Sequence, residues 1–194
     1  MLIAISPKEA HTLSVKITGE MQKDVLNLRA GGASTTEIAK KVRLSVSSVQ
    51  RIVKATAYHE AGHAAAGAIF KQNPDWATLI PDPKTNILAE VTHMDGDLES
   101  EEGLKNEIIN LYAGQYAELR AGGSARRAKL GAIMDDEIAR GYIVRLCGEN
   151  ATEDKLSACE EEIRAESTAF VDKHWSLVER IAIELLKHTT LVWE

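Results

Sequence analysis

With 194 residues, 44% of them hydrophobic and 27% charged, the chain has the composition of an ordinary soluble globular protein of one or two domains. That apolar content excludes a disordered chain, and no apolar run approaches the ~20 residues that cross a bilayer. Residues 1–6 lack the basic opening of a secretory signal, and Cys147 and Cys159 are too few for a disulfide framework or a thiolate zinc knuckle. The expected setting is therefore the reducing cytoplasm, with no membrane partner. The net charge of -6 conceals an asymmetry: residues 1–57 hold nine Lys/Arg against four Asp/Glu, a basic head on an acidic body. Contact with nucleic acid would belong to that head, because phosphate binding needs a local positive footprint.

Residues 1–19 alternate weakly through Leu13, Val15 and Ile17, the pattern of a short strand or an arm. From Glu20 the period becomes helical, with Met21, Val25 and Leu28 on one face up to a break at Gly31-Gly32. Ser34-Thr35-Thr36-Glu37 carries a capping-box signature and opens a second helix whose buried stripe is Ile38, Ala39 and Val42. Arg43-Leu44-Ser45 is a tight connection, after which Ser45 or Ser47 caps a third helix with Val46, Val49, Ile52 and Val53 inward. No Gly/Ser or Pro linker follows. The third helix is expected to continue through Ala55-Thr56-Ala57-Tyr58, fusing the head (residues 1–56) rigidly to the body (residues 57–194).

Two short helices joined by a tight turn, the second rich in small polar and basic residues, form a helix-turn-helix pattern. The stretch from Thr36 to Ile52 resembles the resolvase-like and regulator-like versions of that motif, with Arg43 where the turn commonly has glycine. The resemblance implies double-stranded DNA as a partner. Ser47, Ser48, Gln50 and Arg51 would reach base edges and phosphates, and Lys40, Lys41 and Lys54 phosphates.

The chemistry of the body is concentrated in His59-Glu60-Ala61-Gly62-His63. Residues four apart on a helix lie one above the other, so the two imidazoles can bridge one tetrahedral Zn2+, and Glu60 is placed to serve as general base. The flanking Ala57, Ala61, Ala64, Ala65, Ala68, Ile69 and Phe70 make this helix apolar nearly all round. Buried His, Glu and His require partners, and a metal supplies them. A catalytic zinc needs a third protein ligand, for which the residues alone offer Asp135, Asp136, His93 and Glu118.

Tyr58-His59-Glu60-Ala61-Gly62-His63-Ala64 resembles the peptidase domain of the FtsH-type AAA+ proteases, and the likeness covers residues 57 to about 192. Residues 77–81 and 87–92 sit where that family has a small hairpin shielding the site, and residues 110–118 resemble its second core helix. Gly131-Ala132-Ile133-Met134-Asp135-Asp136-Glu137-Ile138-Ala139 is similar to the segment holding its zinc-binding aspartate, which implies Asp135 as third ligand, with Asp136 as the alternative. Ile133 and Met134 replace the serine and asparagine usual before that aspartate. His174 and Trp175 are read as packing residues. No G-x-x-x-x-G-K-[ST] loop is present, so no ATP site is expected.

The expected fold is mainly α, a trihelical head followed by a helical zinc-peptidase domain with a small β-hairpin at residues 77–93. The expected function is zinc-dependent hydrolysis of peptide bonds in a protein or peptide substrate, with regulation through the DNA-binding head. The alternative is a DNA-binding regulator whose peptidase-like domain is catalytically inactive.

Overall fold

Helices start and stop where local chemistry directs in the computed structural model, which describes residues 17–82, 84, 88–93 and 96–193. Of the arm or strand expected over residues 1–19, residues 1–16 lie outside the described residues, and Thr18 and Gly19 belong to the start of the first helix. Helix α1 (Gly19–Ala30) is capped by the Thr18 hydroxyl, which accepts from the Met21 N–H, and it ends at Gly31-Gly32, where Gly32 takes φ +83°. Helix α2 (Thr35–Val42) carries the full capping box. The Glu37 N–H donates to Ser34 Oγ at 3.3 Å and the Ser34 N–H to Glu37 Oε2 at 2.8 Å. Arg43 then turns the chain in a left-handed conformation, φ 56°, at the position where a glycine would be unstrained.

Helix α3 (Val46–Ile69) is 24 residues long, capped by Ser45, and it carries both the stretch Val46–Ile52 and the H-E-x-x-H pattern on one rod. At ~1.5 Å per residue it spans about 36 Å. The boundary expected at residues 56 and 57 falls inside it. Its outer half packs on α1 and α2 through Val25, Leu26, Ile38, Val49 and Ile52. Each such buried aliphatic side chain contributes roughly 1.5–3 kcal/mol.

The inner half of α3 is sandwiched between α4 (Glu101–Arg120) and α8 (Trp175–His188), where Ala61, Ala64 and Ala65 meet Ala113, Ala117, Val178, Ala182 and Leu185. Small residues let the backbones approach closely. A Cβ on Gly62 would stand 2.9 Å from Gly114 Cα and overlap the Ala113 carbonyl. The far face of α4 packs on α6 (Ile133–Cys147) and α7 (Glu153–Lys173) through Ile108, Tyr112, Ala139, Ile143 and Ile163. The short α5 (Ala125–Gly131) links α4 to α6. Trp175 stacks on Tyr58 at 5.5 Å and His174 lies against Phe170 at 4.7 Å, so both are packing residues as expected.

Strands β1 (Pro74–Thr78) and β2 (Glu90–His93) pair antiparallel, Ala77 opposite Val91, which is the expected hairpin begun three residues early. A third strand, β3 (Thr190–Val192), pairs with the other edge of β1, giving the order β2-β1-β3. The sequence reading assigned no strand there. Thr189, left-handed at φ 60°, ends α8, and its carbonyl accepts the Leu79 N–H at 2.8 Å, turning the last residues onto the sheet.

Candidate metal centre

His59 and His63 sit one turn apart in the buried half of α3, their ring centroids 4.8 Å apart. Asp135, third residue of α6, points its Oδ2 between them, 3.3 Å from His59 Nε2 and 3.6 Å from His63 Nε2. Tetrahedral zinc bonds of ~2.0–2.1 Å place neighbouring ligand atoms ~3.3–3.4 Å apart, close to the two separations from Asp135 Oδ2. Among the described residues His59, His63 and Asp135 form a group able to hold a metal ion.

The far side of each ring is held by an acceptor. His63 donates from Nδ1 to the Asn110 carbonyl at 2.9 Å, and His59 Nδ1 faces Glu118 Oε2 at 3.7 Å. Such partners fix the tautomer in which Nε2 offers its lone pair to a metal. Glu118 is itself buried, and Arg127 Nη1 donates to its other oxygen at 2.9 Å. Arg127 also donates to Thr56 Oγ1 on α3 and Gln22 Oε1 on α1, so one guanidinium ties head and body to the support of His59. Gly114 of α4 leaves the space in front of the rings. A Cβ there would stand 2.9 Å from His59 Cδ2 and overlap His63 Nε2.

Asp136 faces elsewhere. Arg164 of α7 donates to its Oδ1 at 2.8 Å, reaches Glu160 at 2.9 Å and lies 4.0 Å over the Tyr112 ring, fastening the first turn of α6 to α7. Of the other residues weighed as third ligand, Glu118 supports a ring and His93 ends β2 opposite Pro74.

No protein-family profile matches the chain, and no curated protein matches its sequence. The function is therefore read from the site.

Burial would lower the pKa of both imidazoles, but the carboxylates around them win. Asp135, Glu118 and Glu60 push His59 up to about 10, and Asp135 raises His63. For Asp135, burial acts upward and is overcome by the two imidazoles, which hold it well below the usual carboxylate range. Glu60, with 6% of its surface exposed, is pushed up mainly by burial, against the pull of both histidines and with further upward pushes from Asp135 and Glu90 of β2. A cation bound here would compete with protons for the imidazole nitrogens.

The DNA-contact candidates are more dispersed. Lys40, Lys41, Ser47, Gln50 and Arg51 are exposed on α2 and the start of α3, and Ser48 is half-buried. Ser47 and Ser48 both bond to the Ser45 hydroxyl, at 2.9 and 2.8 Å, and Arg51 donates to Ser48 Oγ at 3.3 Å. Lys54 turns to the body instead, donating to the Ala121 carbonyl at 3.0 Å and lying 5.4 Å over Tyr58.

Sequence reasoning missed Arg127, Asn110 and the role of Gly114, and it weighed Glu118 only as a ligand. An acid amid the apolar stretch of α4 was a signal available in the sequence, whereas what Gly114 faces is decided by the packing of α4 on α3. Asn110 acts through its backbone carbonyl, for which residue type carries no signal. Among the described residues no helix is long and apolar enough to cross a membrane.

Proposed function

We propose that the chain is a zinc-dependent endopeptidase akin to the peptidase domain of the FtsH-type proteases, with His59, His63 and Asp135 as metal ligands and Glu60 as general base. The convergence of two Nε2 atoms and Asp135 Oδ2 within 4.8 Å of one another carries this reading. Two imidazoles and one carboxylate suit zinc, and three protein ligands leave the open position of a catalytic rather than structural site. When bound, zinc would act as a Lewis acid toward a peptide carbonyl and lower the pKa of a water to about 7.

The chain's own residues do the rest. Glu60 takes a proton from the attacking water and delivers it to the leaving amine nitrogen, and a carboxyl raised by burial is better matched to both transfers. Asn110 and Glu118 hold the rings in register.

The test pairs metal analysis with hydrolysis of an unstructured protein such as casein. One zinc per chain, and activity that Glu60→Gln abolishes while zinc remains, support the proposal. Zinc-free protein purified in the presence of the metal, or full activity in the variant, overturns it.

A second reading is a DNA-binding regulator whose peptidase-like domain is inactive, favoured by the exposed Gln50 and Arg51 beside Lys40 and Lys41. DNA docking also fits the peptidase reading, in which the head would dock on DNA and the body, joined to it through α3, would cleave a bound regulator. Absence of any salt-dependent affinity of the full chain for duplex DNA removes the DNA component.

A further inference from the structure

Between the outer half of α3, the turn joining α4 to α5, and α5 itself lies a groove of about 530 Å³. Arg51 and Lys54 enter it from α3, Arg126 and Arg127 from α5, and among the described residues no aspartate or glutamate lines it. Arg127 is compensated by Glu118. The other three are not: the ion pairs of the described residues leave Arg51, Lys54 and Arg126 without a carboxylate. Arg51 meets only the Ser48 hydroxyl, and Lys54 a carbonyl and a ring face. In a chain of net charge -6, like charges gathered in a concavity repel one another and focus a positive field on what fills it.

Shape narrows the occupant. The volume lies within the roughly 300–1,000 Å³ of small-molecule sites, and Ile52, Ala55 and Leu130 add apolar wall beside the cations. Of the residues a duplex docked on the head would meet, Ser48, Arg51 and Lys54 line the groove, whereas Lys40, Lys41, Ser47 and Gln50 lie outside it. Two free guanidinium forks and an ammonium match the oxygens of a phosphate dianion.

We propose that this groove binds a small phosphate monoester with an apolar or aromatic body, the class to which nucleoside monophosphates belong. Arg51, Lys54 and Arg126 hold the phosphate while the exposed Leu130 side chain receives the body. Because Arg127 also grips Glu118 behind His59, the groove and the metal centre share one side chain. The binding site itself stands on the groove and not on the peptidase reading.

Calorimetric titration of the full chain, in phosphate-free buffer of low ionic strength, tests this with inorganic phosphate, AMP and adenosine. AMP is expected to bind more tightly than phosphate, and adenosine weaker than AMP by roughly tenfold or more, the worth of charge-assisted hydrogen bonds. Arg126→Glu and Arg51→Glu should each weaken AMP by a similar factor while leaving zinc content and helical circular dichroism as in the parent, since neither touches a metal ligand. No heat with AMP or phosphate up to roughly 10 mM, the weak end of ordinary affinities, overturns the site. So does AMP affinity unchanged in both variants. Displacement of AMP by a short DNA duplex, lost in the same variants, would instead assign the groove to nucleic acid.

Discussion

Gly114→Ala tests the geometry of the metal centre most sharply, because any side chain at that position stands where the metal-binding edges of both rings stand. The added Cβ would lie 2.9 Å from His59 Cδ2 and overlap His63 Nε2. Carbon atoms pack at about 3.5–4.0 Å, so the His59 ring must retreat by about 0.6–1 Å and the His63 ring by more. Neither is free to do so. His63 is pinned by its 2.9 Å bond to the Asn110 carbonyl, and His59 lies between Glu118 and Asp135. Metal–ligand distances tolerate ~0.2 Å, so the displacement takes both nitrogens out of range. Overpacking costs about 1–3 kcal/mol against a typical total stability of about 5–15 kcal/mol, and the variant should still fold. Zinc affinity, read by competition with a chromophoric chelator, should fall by more than ~100-fold while a cooperative melt persists. Gly141→Ala on α6, where a Cβ meets nothing within 4 Å, is the control and should leave zinc binding intact. A folded Gly114→Ala protein holding zinc within a factor of about three of the parent would refute the close-approach reasoning.

Replacing the two neighbouring acids separates their roles: Asp135→Asn should lose stoichiometric zinc by metal analysis. Asp136→Asn should keep it and lose about 1 kcal/mol of stability with its partly exposed partner Arg164, and the reverse pattern would move the ligand. Glu118→Gln keeps a hydrogen-bonding group between His59 and Arg127 but removes the charge, and zinc affinity should drop by roughly 10–100-fold, measured by the same chelator competition. In the metal-free protein His59 and His63 have folded pKa values above the unfolded value of ~6.5, so their protonation stabilises the fold fully below that pH. That contribution is lost as pH rises through the folded value, about 10 for His59, and denaturant midpoints should fall across that window. Zinc affinity should run the opposite way, tightening by up to ~10-fold per pH unit for each proton displaced, and a flat profile would mean neutral rings.

Much of the helical framework was legible because its signals are local. The Thr36–Ile52 pattern, the Ser34 capping box and the Gly31-Gly32 break act over three or four residues, and the caps of α2 and α3 follow them. The continuity of α3 was legible as well, since no proline and no Gly-Gly pair stands between Val46 and Ile69, only the single glycines Gly62 and Gly67. The strand at Thr190–Val192 was not, because a three-residue strand owes its existence to the free edge of β1 rather than to its own pattern.

For the metal centre the same division holds. That His59 and His63 share a face with Glu60 beside them follows from helix geometry, which repeats every 3.6 residues whatever surrounds it. Which acid completes the group is a matter of α6 packing on α4. A turn of about 100° per residue separates Asp135 from Asp136, and the pairing of Asp136 with Arg164 sends one carboxylate to the rings and the other to α7. The buried link from Arg127 through Glu118 to His59, and the space kept by Gly114, exist only where α1, α3, α4 and α5 meet. Spacing along a chain determines what one helix presents, and contacts between helices distant in sequence decide what that face encounters.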